Sequence, residues 1–345
     1  MERFEHGGQW FAHPDALDFS ANLNPLGMPA PVVEALREHA ENFSRYPDPR
    51  SVELTHAIAA FEGADAGHVL ACAGATDAFW RLCAVRRPRH ALVVDPCYSG
   101  YEQALVQVGC AVRHVALDAR ADFAVGEDVS RAIDASTDLV FLANPNNPTG
   151  RCVDRAVVLA CLRRARAVGA LLVLDECFVD LTDEQGSVDL LARFPNLVMV
   201  KALTKTFCLA GLRVGYAMSA NEGLLAAMCD AGQPWAVSMP AQIAGVACLG
   251  EGCEAYLTRS RALVARERSR VSGALASLGL HVVPSQANYL LFCACEPLGS
   301  VLLERGVLVR SCDNYRGLDE RWHRVAIRTP QENDRLLEVL EEVLA

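Results

Sequence analysis

A lysine and an arginine follow one short apolar segment in the second half of the chain. Residues 196–216 read NLVMVKALTKTFCLAGLRVGY, in which Lys205 comes just after a run typical of a buried strand and Arg213 stands eight positions later. One interpretation is a loop lysine in water. The other is an amine held in a site among small and hydroxyl side chains, able to form a Schiff base with a carbonyl cofactor. The rest of the chain must supply its partners.

Polar residues also follow two other apolar runs. NPNNPTG at positions 144–150 holds Asn147, whose amide can meet a ring oxygen of a bound cofactor, although this motif also makes an ordinary strand-to-helix turn. Asp175 ends LLVLD. Its carboxylate can pair with a protonated pyridine nitrogen, or it can cap a helix or form a strand-end ion pair.

Two earlier motifs add a candidate anion site and an aromatic ring. AGATD places Ala75 and Thr76 at a predicted helix start, where free N–H groups and the helix dipole favour a phosphate group. The same motif is also a simple helix cap. Tyr98, in DPCY, can lie flat against a cofactor ring or pack in the core.

The elements that position these motifs alternate between strands and helices. The predicted strands are HVLAC, HALVVD, AVRHVAL, DLVFLA, ALLVLD and NLVMV, with helices over 76–85 and 154–168 between some of them. Near-continuous apolar strands that alternate with helices indicate a parallel sheet covered on both faces. Because ligands bind at the carboxyl ends of such strands, we expect the polar motifs to meet at one edge of the sheet.

The pattern changes towards both ends of the chain. Residues 1–28 are rich in Gly, Pro and Asn and are predicted to form an N-terminal arm, either a flexible lead-in or an active-site lid that is part of a small domain; its apolar Trp10, Phe11 and Phe19 favour the ordered lid. Residues 29–240 form the predicted large cofactor-binding domain. A long helix over 254–278, shorter strands and a terminal helix over 331–344 predict a smaller α+β domain at 241–345.

Composition narrows the class of protein. The chain has 345 residues and a net charge of -10, which argues against nucleic-acid or membrane-surface partners because those need a basic face. Its 14 cysteines are scattered in apolar runs without a CxxC pair, so we expect buried, reduced thiols and no metal site. No apolar run approaches ~18 residues, and a cytoplasmic location is expected.

Together these motifs resemble a known family. Lys205 followed by LAGLRVGY, with NPTG and the strand-end Asp175 upstream in this order, is similar to the fold-type I pyridoxal phosphate enzymes, the class I/II aminotransferase superfamily. The resemblance covers essentially the whole chain. It implies an α/β fold with a mainly parallel central sheet flanked by helices, a smaller α+β domain, pyridoxal 5'-phosphate as cofactor, and a homodimer with shared active sites.

The resemblance also implies roles for single residues. Lys205 forms the Schiff base with the cofactor, Asp175 holds its pyridine nitrogen, Asn147 meets its phenolic oxygen and Tyr98 stacks on its ring. The implied phosphate ligands are Ala75, Thr76, Thr204, Arg213 and, from the other subunit, Tyr46. Arg324, in HRVAIRT, matches the arginine that grips the substrate carboxylate.

Within this superfamily the chain is similar to two branches, the histidinol-phosphate aminotransferases and the threonine-phosphate decarboxylases of cobalamin biosynthesis. The arm with HGG and DFSANLNPLGMP, the ending RVAIRTPQENDRLLEVL, and Phe178 three positions after Asp175 favour the decarboxylases. Ala202 stands where a Ser or Thr is common. The substrate residues implied by this branch are His6, Gly7, Asn22, Asn147, Arg310 and Arg324.

The expected reaction is the decarboxylation of L-threonine O-3-phosphate to (R)-1-amino-2-propanol O-2-phosphate, with phosphoserine as a closely related substrate. The first alternative is a histidinol-phosphate or aromatic aminotransferase. A second alternative is a cofactor-binding protein without catalysis, which the set Lys205, Asp175, Asn147 and Arg213 disfavours.

Overall fold

The computed structural model describes residues 7–345. Its strands are β1 Leu17–Asp18, β2 Val69–Cys72, β3 His90–Asp95, β4 Ala111–Ala116, β5 Leu139–Ala143, β6 Leu171–Asp175, β7 Leu197–Ala202, β8 Gly215–Met218, β9 His281–Val282, β10 Tyr289–Cys293, β11 Val307–Leu308, β12 Arg310–Ser311 and β13 Trp322–Ala326. Its helices are α1 Ala30–Glu38, α2 Val52–Glu62, α3 Ala75–Arg86, α4 Gly100–Gln107, α5 Asp128–Ala132, α6 Arg155–Val168, α7 Leu203–Thr206, α8 Glu222–Asp230, α9 Met239–Cys248, α10 Cys253–Ser277, α11 Gly299–Glu304 and α12 Pro330–Leu344. Short 3-10 segments lie at Trp10–Ala12, Ala40–Ser44, Ala66–His68, Ala119–Ala121, Val179–Leu181 and Val188–Leu190.

A seven-stranded sheet forms the larger layer, with the order β2-β8-β7-β6-β5-β3-β4. The pairs among β3 to β7 are parallel, whereas β8 runs antiparallel to both β7 and β2. The mainly parallel sheet predicted from the sequence is confirmed, and each of its six predicted strands is present. The seventh strand, β8, lies in the segment RVGYAM and is absent from the predicted set.

Helices cover both faces of this sheet because its central strands are buried on both sides. Along β5, Val140 and Leu142 join one apolar cluster, and Leu139 and Phe141 join the other. The first cluster includes side chains of α2, α6 and α9, and the second includes side chains of α3, α4 and α8. Side chains alternate between the faces of a strand, so an unbroken apolar run serves both layers.

A four-stranded antiparallel sheet, β12-β13-β10-β9, forms the smaller layer and packs with α10, α11 and α12. The N-terminal arm joins this part of the protein: β1 pairs in parallel with β11, and Ala326 N donates to Phe19 O at 2.8 Å. GVLVR at residues 306–310, one of the shorter strands predicted for the C-terminal region, is divided between β11 and β12, which belong to different sheets. The domain boundaries at residues 28 and 240 stay a prediction.

Local chemistry defines several helix ends. α12 begins with a capping box, in which Thr329 and Glu332 bond reciprocally to each other's backbone, and α6 ends at Gly169 in the left-handed conformation.

All fourteen cysteines are free, and Cys229 and Cys295 are exposed rather than buried as expected. Across residues 7–345, none of the helices has the length and apolar character needed to span a membrane.

Candidate active site

A cleft of about 230 Å³ opens where the carboxyl ends of the parallel strands face the smaller sheet. β5, β6 and β7 each end at this cleft, and the first residues of α3 line it as well. The structure therefore brings together, from distant parts of the chain, most of the predicted site residues: Gly7, Asn22, Ala75, Thr76, Tyr98, Asn147, Asp175, Thr204, Lys205, Arg213 and Arg324.

Lys205 lies on α7, a single helical turn that begins immediately after β7. Burial lowers the pKa of Lys205 from 10.5 to about 8, and the nearby cations Arg324 and Arg213 act in the same direction. The backbone of Lys205 is tied down as well, since its carbonyl accepts from Asn24 N at 3.1 Å. The cleft thus holds an amine that is partly neutral near physiological pH and can act as a nucleophile.

Asp175 is the last residue of β6 and faces the cleft. Its Oδ1 accepts from Cys177 N at 3.0 Å, and its Oδ2 accepts from the hydroxyl of Tyr101. Burial raises the pKa of this carboxyl group above its ordinary value, while its hydrogen bonds and Lys205 oppose that shift. A carboxylate in such apolar surroundings pairs strongly with a cationic ring nitrogen.

The N-terminus of α3 and the loop after α7 form a polar corner. α3 starts at Ala75, after Gly74 with a φ of +86°, and no side chain in the described part of the chain caps it. A Cβ on Gly74 would lie 2.8 Å from Arg213 Nη2, so the guanidinium packs directly on this turn. Thr76 and Thr204 line the same cleft. Free N–H groups beside a cation suit a phosphate group.

Tyr98 lies in the loop between β3 and α4 and lines the cleft. Its hydroxyl is 3.1 Å from Thr76 Oγ1, and its ring meets the ring of Tyr101 edge-on. A Cβ on Gly100 would lie 2.2 Å from Tyr98 Cε1, so only glycine at position 100 permits this ring position. The aromatic ring is therefore held close to the polar corner.

Arg324, on β13, connects the smaller sheet to the cleft. Its Nη2 donates to Ser20 O at 2.6 Å, and its Nη1 donates to Asn147 Oδ1 and, at 3.4 Å, to the hydroxyl of Tyr315. Arg324 Nε and Asn22 Oδ1 are buried and lack a hydrogen-bond partner among residues 7–345. Buried polar atoms of this kind are normally satisfied, which suits them to a polar ligand.

Comparison with known proteins identifies the family. The profile of the family Aminotransferase class I and II matches residues 14–340. The chain belongs to the class I and II aminotransferase family.

A threonine-phosphate decarboxylase of Salmonella typhimurium is 36% identical over 338 residues, which cover 96% of this chain and 92% of that protein. A histidinol-phosphate aminotransferase of Desulfitobacterium hafniense is 31% identical over 341 residues, with 96% and 92% covered. The crystal structure of the histidinol-phosphate aminotransferase from Clostridium acetobutylicum matches with a TM-score of 0.88 at 26% identity, covering 95% of this chain and 99% of that chain.

As a member of this family, the protein uses pyridoxal 5'-phosphate as its cofactor. The residues of the cleft fit that molecule. Lys205 offers an amine for its aldehyde carbon, Asp175 a buried carboxylate for its ring nitrogen, and Arg213 a cation beside the uncapped start of α3 for its phosphate. Each of these groups can hold one part of the cofactor.

Two predicted site residues in the described part of the chain lie outside the lining of the cleft. Arg310 is buried, donates to Ser311 O at 2.6 Å, and lies with its guanidinium 5.4 Å from the ring centre of Tyr315. Tyr46 is 77% exposed, and its ring packs against that of Trp235 at an angle of 30°. His6 lies outside the described residues.

Among the residues that line the cleft, Tyr101 and Tyr315 are not predicted from the sequence. Tyr101 lies on α4, three positions after Tyr98 in the preceding loop, so the spacing of the two tyrosines offers only a weak signal. Tyr315 lies in the loop between β12 and β13, where the sequence shows no periodic pattern. Both tyrosines line the cleft and contact a predicted site residue: Tyr101 contacts Asp175, and Tyr315 contacts Arg324.

Proposed function

We propose that the protein decarboxylates L-threonine O-3-phosphate to (R)-1-amino-2-propanol O-2-phosphate, a reaction of cobalamin biosynthesis. The observation that carries the proposal is Phe178, which lines the cleft three residues after Asp175 and meets Tyr289 edge-on at 5.0 Å. Aminotransferases resembling this chain usually have a tyrosine hydroxyl there. The 36% identity to a threonine-phosphate decarboxylase supports the same choice.

The cofactor would be held by the residues that line the cleft. Lys205 would bind it covalently, Asp175 would pair with its ring nitrogen, and Asn147 would donate to its phenolic oxygen. Because Asn147 Oδ1 accepts from Arg324, its amide group is the part that remains as a donor. Tyr98 would lie against the ring, and the proposed phosphate ligands are Ala75, Thr76, Thr204, Arg213 and, from a second subunit, Tyr46. When bound, the cofactor supplies an electron sink for the substrate Cα.

The substrate residues would decide which bond at Cα breaks. Arg324 would hold the carboxylate, and its anchor on Ser20 O fixes the direction from which it does so. Asn22, Gly7 and His6 would surround the phosphate of the substrate. Arg310 would act through Tyr315, on whose ring its guanidinium lies. This grip would set the carboxylate, rather than the hydrogen, perpendicular to the cofactor ring.

Lys205 would complete the reaction. Once carbon dioxide has left, the substrate Cα needs a proton, and the ammonium form of Lys205 is the acid that can deliver it. A pKa of about 8 leaves the amine able both to gain and to lose a proton near neutral pH. The same group would therefore serve covalent attachment and proton transfer.

A homodimer would complete the site. Tyr46 is exposed and does not line the cleft of its own chain; its ring centre lies 4.6 Å from that of Trp235, with the rings tilted by 30°. An exposed aromatic pair of this kind is typical of a surface that a second subunit covers. Gel filtration and light scattering of the wild-type protein and Tyr46→Ala test this part of the proposal.

The proposed reaction is tested by incubating the holoenzyme with threonine phosphate and no 2-oxo acid. We expect carbon dioxide and an amine product, with no activity in Lys205→Ala. Phosphoserine lacks one methyl group, and discrimination of roughly tenfold to 200-fold is the range for such a difference. The proposal is refuted if turnover requires an oxo-acid acceptor.

The second candidate function is a histidinol-phosphate aminotransferase, which the 31% identity to such an enzyme supports. Phe178→Tyr separates the two, because it adds one hydroxyl group to the cleft and leaves the ring in place. For a decarboxylase, we expect carbon dioxide release to remain the main reaction of the wild type and amino transfer to increase in the variant. For an aminotransferase, amino transfer from histidinol phosphate would already dominate in the wild type.

A further inference from the structure

Tyr101 connects an apolar wall of the cleft to Asp175. Its side chain is 1% exposed, and its hydroxyl group donates a hydrogen bond to Asp175 Oδ2. The other carboxylate oxygen, Oδ1, accepts from the backbone N–H of Cys177 at 3.0 Å. The two oxygens are therefore held by donors on different sides, which fixes the orientation of the carboxylate.

The Tyr101 ring is itself held in place by aromatic neighbours. It stacks on Phe141 with ring centres 4.9 Å apart and an angle of 17°. The rings of Phe79 and Tyr98 pack against it at close to right angles, with ring centres 5.1 and 5.6 Å away. The hydroxyl group thus has one fixed direction, and a hydrogen bond to a carboxylate in apolar surroundings is stronger than one in water.

We propose that Tyr101 is a positioning residue that aims the Asp175 carboxylate at the ring nitrogen of the bound cofactor and keeps it ionised. This inference rests on the role of Asp175 proposed above. Burial raises the pKa of Asp175, and the hydrogen bonds from Cys177 and Tyr101 oppose that effect. Loss of the phenol hydroxyl would leave the carboxylate held by Cys177 N at one oxygen only and easier to protonate, which weakens its ion pair with the ring nitrogen.

The chain offers a matched control in Tyr216, on β8. Tyr216 is fully buried, and its hydroxyl also donates to a buried carboxylate, that of Glu62. Its side chain belongs to the apolar cluster on the opposite face of the sheet and does not line the cleft. Tyr101→Phe and Tyr216→Phe therefore remove the same kind of hydrogen bond, and only the first one is next to the proposed cofactor position.

The experiment compares cofactor release and steady-state kinetics in the holoenzymes of Tyr101→Phe, Tyr216→Phe, Asp175→Asn and the double variant Tyr101→Phe/Asp175→Asn. Release is followed as loss of the visible absorption of the bound cofactor after free cofactor is removed. We expect release about tenfold faster in Tyr101→Phe, because a hydrogen bond to a charged group is lost, and unchanged release in Tyr216→Phe. With saturating cofactor, kcat should fall in Tyr101→Phe while KM stays within about twofold.

The double variant tests whether Tyr101 acts through Asp175. We expect it to release cofactor no faster than Asp175→Asn alone, since the hydroxyl has no effect once its carboxylate partner is gone. Two outcomes would overturn the role of Tyr101 and leave the proposed function standing. In the first, the effects of the two substitutions on the release rate are additive. In the second, Asp175→Asn releases the cofactor faster than the wild type, but Tyr101→Phe releases it at the wild-type rate. Unchanged release in Asp175→Asn would instead contradict the role of Asp175 and, with it, the proposed site. Urea unfolding of both Tyr→Phe variants separates lost stability from lost positioning.

Discussion

Lys201 and Lys205, the only two lysines in the sequence, lie four residues apart in opposite electrostatic surroundings. Lys201 Nζ donates to Glu62 Oε1 and Asp180 Oδ1, both at 2.6 Å. Burial alone would lower the pKa of Lys201, but these two carboxylates raise it above its ordinary value. Burial lowers the pKa of Lys205 to about 8. One lysine is therefore a permanent cation, and the other is available as a neutral amine.

The lowered pKa of Lys205 predicts a pH-dependent stability of the cofactor-free protein. The unfolded chain keeps a proton on this amine up to about its ordinary pKa of 10.5, whereas the folded chain loses it near 8, so the contribution of Lys205 to stability rises with pH between these values. Lys205→Met removes this effect and should stabilise the protein at pH 7 by about 3 kcal/mol.

Urea unfolding of the cofactor-free wild type and Lys205→Met at pH 7, 8 and 9 measures that difference. The gap between the two proteins should narrow as the pH rises. A gap that is constant across this range would show that the amine titrates at its ordinary pKa. Lys205→Arg serves as the control, because it keeps the buried charge at every pH tested.

Replacement of Lys201 is predicted to destabilise the protein, which is the opposite of the effect predicted for replacement of Lys205. Lys201→Met should destabilise the protein by about 3–5 kcal/mol, because it leaves the buried carboxylates of Glu62 and Asp180 without a counter-charge. Adding Glu62→Gln and Asp180→Asn to this variant should restore much of the loss. Chemical unfolding measures both effects. If the single and triple variants are equally stable, the three groups do not form a coupled buried network.

Gly74→Ala tests the contact between α3 and Arg213. An added Cβ would meet Arg213 Nη2 at 2.8 Å, so we expect the guanidinium to move and cofactor affinity to fall by about tenfold or more. Gly252→Ala is the control: Gly252 also precedes a helix, has a φ of +83°, and has nothing within 4 Å of its Cβ position. Both variants should lose about 1 kcal/mol of stability through backbone strain.

Fluorescence titration with pyridoxal 5'-phosphate measures the affinity of both glycine variants. The prediction requires weaker binding only in Gly74→Ala. Equal affinities would mean that the guanidinium position near α3 does not contribute to binding of the cofactor phosphate.

The sheet and much of the cleft could be predicted because their signals are local. Asp175 ends an apolar strand, and Asn147 and Lys205 come shortly after the ends of two others; the ends of parallel strands meet at one edge of a sheet. Their convergence in one cleft is therefore a consequence of strand order and direction. The strand β8 was not predicted because its first residues, Gly215 and Tyr216, belong to LAGLRVGY, the motif that carries the resemblance to the family.

Other contacts depend on packing that no local pattern reports. Tyr101 reaches Asp175 only because α4 stacks its aromatic ring on Phe141, in a strand far along the chain. Arg310 is expected beside the substrate from the family resemblance alone, whereas GVLVR, in which it stands, is predicted as one strand. The chain instead changes sheets after Leu308, and the Arg310 side chain lies over Tyr315. Such long-range choices come from tertiary contacts rather than from residue spacing.

The central claim, that Lys205 carries the cofactor in this cleft, can be tested directly because the chain has only two lysines. Reduction of the holoenzyme with borohydride makes the bond between cofactor and amine permanent, and peptide mapping by mass spectrometry then locates it. We predict that the cofactor mass is attached to Lys205 and that Lys201 is unmodified. Attachment to Lys201, or an unmodified Lys205 in protein that retains the visible absorption of the bound cofactor, would contradict the account.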